Sequence, residues 1–158
     1  RAACGLALLL HQDKSLAKAY DEWVAVQLRP TPPIQLGIQA AGNANSMLDV
    51  SDSLALDCNR LANASDVSIE LDRSKLEGYA AVLELAAQSL SARDDVARDP
   101  MDWVLYGGED HSLLATFPQG SEIPRGFKVI GSVVQRGAVP VSLGGSVLEP
   151  KGWDSVSS

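Results

Sequence analysis

The sequence lacks the features that mark several classes of protein. Its two cysteines, Cys4 and Cys58, stand alone, without the CxxC or Cys/His spacing of a zinc site. No apolar run approaches the roughly 20 residues of a membrane-spanning helix, and the apolar start at residues 2–10 lacks the basic region and cleavage site of a signal peptide. Ser-His-Asp and P-loop signatures are missing as well. These absences argue against a zinc, membrane or secreted protein, and two isolated cysteines favour a reducing, cytoplasmic location.

Basic residues are also in short supply. The chain has 13 Lys and Arg against 20 Asp and Glu, which gives a net charge of −7. Because nucleic-acid binding needs a basic face, no nucleic-acid partner is expected. A ligand that carries phosphate would be repelled by an acidic protein, and a divalent metal is the usual means of offsetting that repulsion.

The hydrophobic content is typical of one globular domain. With 158 residues, of which 46% are hydrophobic and 21% charged, the chain can bury a core and is too apolar to be disordered. No internal repeat divides it. We therefore expect a single domain over residues 1–158.

Hydrophobic periodicity predicts helices interleaved with strands. Helical stripes run over 16–24, 34–41, 54–62 and 76–90, the last being the clearest, and the first segment is expected to be a buried helix that ends at residue 11. The charged stretch 91–100 is expected to be a loop. Alternation over 67–71 predicts a strand, and four more are expected at 111–117, 127–134, 139–143 and 146–149, with Gly144-Gly145 as a hairpin turn. The fold class is therefore mixed α/β (α+β).

The run Asp49-Val50-Ser51-Asp52 stands where a short strand at 46–50 is expected to give way to a helix. A helix start has unpaired N–H groups and a partial positive charge, which together with a hydroxyl suit a phosphate. Two carboxylates suit Mg²⁺. The alternative is that Ser51 or Asp52 simply caps the helix, and residue types alone favour capping.

Two further motifs place glycine beside acidic or aromatic residues. The run 107–110, Gly-Gly-Glu-Asp, precedes a strand and is either a ligand-binding loop or a tight turn with solvated acids. In the run 152–154, Gly-Trp-Asp, Trp153 either packs on the domain or stacks on a flat cationic ring. His11 and His111 have no partners at catalytic or metal-ligand spacing and are expected to be structural.

Several short motifs follow one another in a specific order along the chain. They read GLALL from Gly5, RPTP from Arg29, MLDVSDSLALD from Met47, GGEDHSLL from Gly107, VIGSV from Val129 and GWD from Gly152. In this order they resemble the thiamine-monophosphate kinase family, whose pattern is GLA-L-L, RP-x-P, M-(I/L)-D-(I/V)-S-D-G-L-A-x-D, GGEDYELL, (I/V)-IG-x-V and GW-D. Single motifs are weak, but their order and spacing over essentially the whole chain are specific.

The resemblance implies transfer of the γ-phosphoryl group of ATP to thiamine monophosphate, which yields thiamine diphosphate. In that family the two aspartates of D-x-S-D bind Mg²⁺ and the serine contacts ATP, roles that fall on Asp49, Asp52 and Ser51. The acid of GGED and the tryptophan of GW-D contact thiamine phosphate, which implies substrate-binding roles for Glu109 and Trp153. No residue is given a catalytic role, because phosphoryl transfer asks mainly for positioning and charge neutralisation.

The resemblance also implies an organisation. The fold is that of the aminoimidazole ribonucleotide synthetase superfamily, a layered sandwich of a mixed sheet and helices. The chain corresponds to the C-terminal half of a two-domain kinase, which is a homodimer when full length. The N-terminal ATP-binding domain, with its own acidic metal-binding motifs, would precede Arg1, so the isolated polypeptide is expected to be inactive.

The chain departs from the family pattern at three places. Ser53 stands where the family has glycine, which bears on how closely a phosphate can approach. His111 and Ser112 replace Tyr-Glu, so a contact through that second glutamate is lost. Ser155 and the valine after it stand where the family has His-Phe behind GW-D.

Two other functions are compatible with these residues. One is the equivalent domain of a sister ATP-dependent enzyme of the superfamily, of the selenophosphate, purine or hydrogenase-maturation type. The other is a non-catalytic binding domain that has kept the fold, which the three departures favour.

Overall fold

The computed structural model describes residues 1–152. The helices are α1 (Ala2–Leu10), α2 (Lys14–Ala19), α3 (Asp21–Leu28), α4 (Ile34–Ala40), α5 (Leu54–Ala64), α6 (Arg73–Ala81), α7 (Glu84–Asp94) and α8 (Pro100–Tyr106). The strands are β1 (Ser46–Val50), β2 (Val67–Leu71), β3 (Ser112–Thr116), β4 (Gly131–Gln135), β5 (Val141–Leu143) and β6 (Ser146–Val147). Among these helices none is both long and apolar enough to cross a membrane. The predicted mixed α/β class is confirmed.

The strands form one mixed sheet and one separate ladder. In the sheet the order is β4-β2-β5-β6, with β2 antiparallel to β4 and parallel to β5. The ladder pairs β1 with β3 antiparallel, from Ser46 opposite Thr116 to Val50 opposite Ser112. The predicted hairpin between β5 and β6 is confirmed, because Gly144 and Gly145 have φ values of +56° and +83°, which glycine adopts without strain.

Two hydrophobic clusters hold these elements together. The first lies between α5, α6, α8 and the strands, and its larger buried members are Val50, Leu54, Cys58, Leu61, Ile69, Leu71, Leu76, Met101, Leu105, Val141 and Leu148. The second joins α1, α2 and α7 through Cys4, Leu8, Leu16, Leu83, Ala86 and Leu90. Each cluster draws its members from distant parts of the chain, so neither half of the sequence can complete a core alone.

The predicted single helix over 76–90 is two helices, so that prediction was wrong. α6 ends at Ala81, and the N–H of Leu83 donates to the carbonyl oxygen of Ala80 at 2.9 Å, a tighter turn than an α-helix makes. Leu76 packs in the first cluster and Leu83 in the second. The break therefore lies where one apolar stripe passes from the first cluster to the second.

Two other helical boundaries also differ from the prediction. The stripe over 16–24 is split at Tyr20, whose hydroxyl donates to the carbonyl oxygen of Leu85 at 3.1 Å on α7. Helix α7 continues into the stretch expected to be a loop, and α8 follows it. Asp99 caps α8 by accepting from the N–H of Met101 at 2.8 Å, and Pro100 occupies the first turn.

Both cysteines are fully buried, as expected of Cys58 from its place on an apolar stripe. Burial raises the pKa of the Cys4 thiol to about 11 and that of the Cys58 thiol to about 12. Because only the thiolate reacts, we expect neither cysteine to be alkylated by iodoacetamide at pH 8 in the native protein, and both to be alkylated in denaturant. Mass spectrometry of the two samples measures this, and rapid native labelling of Cys58 would contradict the packing of α5.

Candidate active site

The aspartate turn, residues 49–53, connects β1 to α5. Asp49 lies one residue before the end of β1, and 54% of its side chain is exposed. Ser51 is half-buried, and the Asp52 side chain is 17% exposed. The apolar residues of β1 and α5 pack in the first cluster. The turn between them is thereby held at the protein surface, with one carboxylate open to solvent and one partly covered.

A buried carboxylate on α5 fixes the conformation of this turn. The Asp57 side chain is only 2% exposed, and its Oδ2 accepts from the backbone N–H groups of Asp52 and Ser53, both at 3.2 Å. Its Oδ1 accepts from Nη1 of Arg60 at 2.9 Å, and the same Nη1 contacts Oδ2 of Asp52. These hydrogen bonds raise the pKa of Arg60, the one to Asp52 most strongly. Asp52 is therefore oriented by an ion pair with Arg60.

The helix cap is Ser53, whereas the sequence favoured Ser51 or Asp52 for this role. The Ser53 hydroxyl accepts from the N–H of Leu56 at 3.0 Å, and the Asp57 carboxylate in turn accepts from the N–H of Ser53. This arrangement resembles a capping box, except that the acidic residue stands four positions after the cap instead of three. Ser53 has φ 167° and ψ 159°, extended backbone that serine adopts freely, so the departure from glycine causes no strain here.

The same geometry changes how a phosphate could be recognised at this turn. The N–H groups of Asp52 and Ser53 donate to Asp57, and that of Leu56 donates to Ser53. Three of the amide groups expected to meet a phosphate are thus already used by the protein. Fewer amide groups therefore remain at this turn to meet a phosphate than the start of a helix ordinarily offers.

The GGED loop, residues 107–110, packs directly on the aspartate turn. The N–H of Glu109 donates to the carbonyl oxygen of Ser51 at 2.8 Å, and the N–H of His111 donates to that of Val50 at 3.1 Å. A Cβ on Gly108 would lie 2.4 Å from the carbonyl oxygen of Ser51, so only glycine allows this approach. The loop therefore continues the β1–β3 ladder past its end and brings the two motifs together.

The two acids of the GGED loop have different surroundings. Glu109 is exposed and has φ +66°, while Asp110 accepts from the backbone N–H of Ala2 at 3.1 Å and so caps α1. His111 lies between two site carboxylates, with Nδ1 3.2 Å from Oδ2 of Asp49 and Nε2 3.7 Å from Oε2 of Glu109. From the sequence, His111 was expected to be structural. In the structure it contacts Asp49 and Glu109, two of the residues singled out for binding.

The segment that leads to GW-D lies against the aspartate turn as well. The Ser53 hydroxyl donates to the carbonyl oxygen of Lys151 at 2.6 Å. A Cβ on Gly152 would lie 2.6 Å from Oγ of Ser53 and 2.7 Å from the carbonyl oxygen of Asp52. Three motifs that are remote in sequence therefore meet at one turn. Trp153, the expected substrate-binding residue of this segment, lies outside the described residues.

The carboxylates at the turn are of the kind that Mg²⁺ uses, in the number that it takes when a nucleotide supplies other ligands. Within residues 1–152 no group of three His, Cys, Asp or Glu side chains could hold a metal by itself. Mg²⁺ is usually bound by one or two carboxylates together with substrate phosphates and water. Asp49 and Asp52, on either side of Ser51, supply that number of carboxylates, while the remaining ligands would have to come from outside this group.

Comparison with known proteins explains why these motifs occur together. A thiamine-monophosphate kinase of Mycobacterium tuberculosis is 35% identical over 156 residues, which are 98% of the chain and 43% of that protein. The chain is homologous to the C-terminal half of thiamine-monophosphate kinase. The Aquifex aeolicus kinase is 33% identical over 150 residues, 94% of the chain and 46% of its own length. No protein-family model matches the chain.

Solved thiamine-monophosphate kinase structures share the fold. A crystal structure of the kinase from Aquifex aeolicus has a TM-score of 0.70 and 29% identity, covering 94% of the chain and 48% of the solved one. AaThiL complexed with AMPPCP and TMP has a TM-score of 0.70 and 31% identity, covering 96% and 47%. The predicted superfamily, that of aminoimidazole ribonucleotide synthetase, is thereby confirmed. The chain spans less than half the length of the curated relatives it matches.

These relatives bear on the two alternatives raised by the sequence. The curated relatives described here are named thiamine-monophosphate kinases, and one solved neighbour holds AMPPCP and TMP together. Neither a sister synthetase nor a non-catalytic domain is favoured by these matches.

Proposed function

We propose that the chain supplies the C-terminal part of a kinase that transfers the γ-phosphoryl group of ATP to thiamine monophosphate, giving thiamine diphosphate. The observation that carries the proposal is the meeting of three motifs at the aspartate turn, where Gly108 and Gly152 both approach the backbone too closely for a Cβ. The homologous AaThiL complexed with AMPPCP and TMP supports the nature of the two substrates.

The proposed roles follow the chemistry of each side chain. Asp49 and Asp52 would hold Mg²⁺, and Ser51 between them would contact ATP. The ion would neutralise the charge of the phosphates, the help that phosphoryl transfer most requires. Glu109 and Trp153 would bind thiamine monophosphate, whose cationic thiazolium ring suits both a carboxylate and an indole face.

Other residues of the chain would act by holding these groups in place. Arg60 and Asp57 fix the Asp52 carboxylate, and His111 spans the gap between Asp49 and Glu109. The acceptor is already a phosphate, so no side chain has to remove a proton from it. The contribution expected from this part of the enzyme is therefore orientation of donor and acceptor.

The proposal extends to the organisation of the whole protein. Residues 1–158 would be one domain, the C-terminal half of a two-domain kinase that forms a homodimer and works in the cytoplasm. An N-terminal domain would supply most of the ATP contacts. The net charge of −7 fits this reading, because it disfavours nucleic acid and leaves a divalent metal as the usual means of binding a nucleotide's phosphates.

The carboxylate roles can be tested in the full-length protein with D49N and D52N. Each variant is expected to lower kcat/KM for ATP-dependent formation of thiamine diphosphate about 100-fold or more, because charge stabilisation at the transferred phosphate is lost. The matched control is E77Q, on the exposed side of α6, which should leave kcat/KM unchanged. Wild-type turnover in both aspartate variants would mean that these carboxylates are only surface charges.

A further inference from the structure

The Ser53 hydroxyl makes two hydrogen bonds, one within its own helix and one to a distant segment of the chain. Its Oγ accepts from the N–H of Leu56, within its own helix, and donates to the carbonyl oxygen of Lys151, which is 98 residues away in sequence. The residue is fully buried. A serine hydroxyl has one donor, and here that donor is used to hold a distant segment rather than to bind solvent.

The segment held by Ser53 is fitted closely to the aspartate turn. Gly152 packs on Oγ of Ser53 and on the carbonyl oxygen of Asp52, with no room for a Cβ. Lys151 has two further contacts, its N–H donating to the carbonyl oxygen of Glu149 at 2.8 Å and its Nζ lying 5.8 Å from the centre of the Tyr106 ring. Among the described residues, the hydrogen bond from Ser53 and the packing of Gly152 join this segment to the turn that carries Asp49 and Asp52.

We propose that Ser53 is a positioning residue, whose hydroxyl fastens the Lys151–Gly152 segment to the start of α5 and so sets where thiamine monophosphate is bound. The substrate half of this statement rests on the proposed function, in which Trp153, bonded directly to Gly152, contacts that substrate. A glycine at position 53, as in the family pattern, has no hydroxyl and cannot make this contact. Serine in place of glycine at position 53 would thus give this chain a hydrogen bond that holds the segment of Lys151 and Gly152.

The contact itself can be tested without any enzyme assay, by trypsin cleavage of the Lys151–Gly152 bond. The carbonyl that trypsin must attack is the one that accepts from Ser53. In S53A the release of the peptide that begins at Gly152 is expected to be about five- to tenfold faster, the change that corresponds to loss of one hydrogen bond. Cleavage after Lys128, an exposed residue outside this contact, serves as the internal reference and should not change.

The positioning role is tested by steady-state kinetics of the full-length protein. S53A and G152A are each expected to raise KM for thiamine monophosphate about five- to tenfold, with kcat within about twofold of wild type. G152A disturbs the same contact from the other side, because its added Cβ would lie 2.6 Å from Oγ of Ser53. D72A is the matched control, since it removes the cap of α6 and leaves the Ser53–Lys151 contact intact, so it should lower Tm and leave KM and the cleavage at Lys151 unchanged.

The possible outcomes separate the inference from the function on which it rests. Wild-type cleavage at Lys151 in S53A would overturn the contact, whatever the enzyme does. Faster cleavage with unchanged KM in both S53A and G152A would overturn the positioning role. If the wild-type protein formed no thiamine diphosphate, the proposed function would fail, and the positioning role with it, while the cleavage result would still decide the Ser53–Lys151 contact.

Discussion

Replacing Asp57 with alanine is expected to lower the free energy of unfolding by about 1–3 kcal/mol, the cost of leaving a buried hydrogen-bond donor without its acceptor. Asp57 is 2% exposed and accepts hydrogen bonds from Arg60 and from two backbone N–H groups of the aspartate turn. Alanine would leave the fully buried N–H of Ser53 without an acceptor. Urea unfolding followed by tryptophan fluorescence, with a comparison of midpoint and slope, measures the loss.

Two comparison variants show whether the loss comes from the hydrogen bonds. D57N keeps the size of the side chain and one carbonyl oxygen for the backbone N–H groups, so it should lose less stability than D57A. E77A, on the exposed side of α6, should change stability by no more than about 0.5 kcal/mol. A loss below about 1 kcal/mol in D57A would contradict the arrangement in which Asp57 holds the turn.

The second large effect is expected at Gly108. An alanine there would place its Cβ 2.4 Å from the carbonyl oxygen of Ser51 and 3.1 Å from that of Asp52, and both are backbone atoms that cannot rotate away. The GGED loop would have to move off the turn and give up the hydrogen bond from Glu109 to Ser51. In the full-length protein we expect kcat/KM to fall about 100-fold, the effect of displacing binding groups by about 1 Å, and stability to fall by about 1–3 kcal/mol.

Gly42 offers the matched control for this substitution. A Cβ at Gly42 would have no heavy atom of another residue within 4 Å, so G42A should leave both activity and stability near wild type. If G108A kept full activity while G42A behaved as expected, close packing of the GGED loop on the aspartate turn would not be needed for function.

The strands could be located from the sequence because each has a local signature, but β4 begins at Gly131 and not at the predicted residue 127. Val67, Ile69 and Leu71 alternate with polar residues, and paired glycines mark the hairpin between β5 and β6. One detail of β2 escaped this reading. Ser68 is buried, because its hydroxyl donates to the carbonyl oxygen of Val139 at 2.7 Å and accepts from the N–H of Gly137. A hydrogen bond to a distant loop leaves no trace in the local pattern.

The helix boundaries were harder to predict because tertiary contacts decide them. The apolar stripe from Leu76 to Leu90 is continuous in sequence, but its two ends pack in different clusters, so the helix breaks between them. The split at Tyr20 has a similar cause, a hydroxyl that reaches α7. Helix α8 did carry a local signal, since Asp99-Pro100 is a typical cap followed by a first-turn proline.

The candidate site also contains residues that could be predicted from the sequence and residues that could not. The residues of the aspartate turn and the GGED loop could be singled out from sequence, because acids next to glycine or at a helix start are recognisable. The supporting residues could not, since nothing in the local pattern shows that the Asp57 side chain is buried. In retrospect two spacings identify Asp57, because it follows Ser53 by four residues and precedes Arg60 by three.

The pairing of β1 with β3 has a consequence for the order in which this protein acquires its shape. Ser46 and Thr116 face each other across 70 residues of intervening chain, and closing so large a loop costs entropy before any contact repays it. Asp49 and Glu109 lie near the far end of that ladder, so they are distant from each other along the chain until the ladder closes. We therefore expect the proposed binding groups to come together late in folding, so that a chain with only its local helices formed has no site.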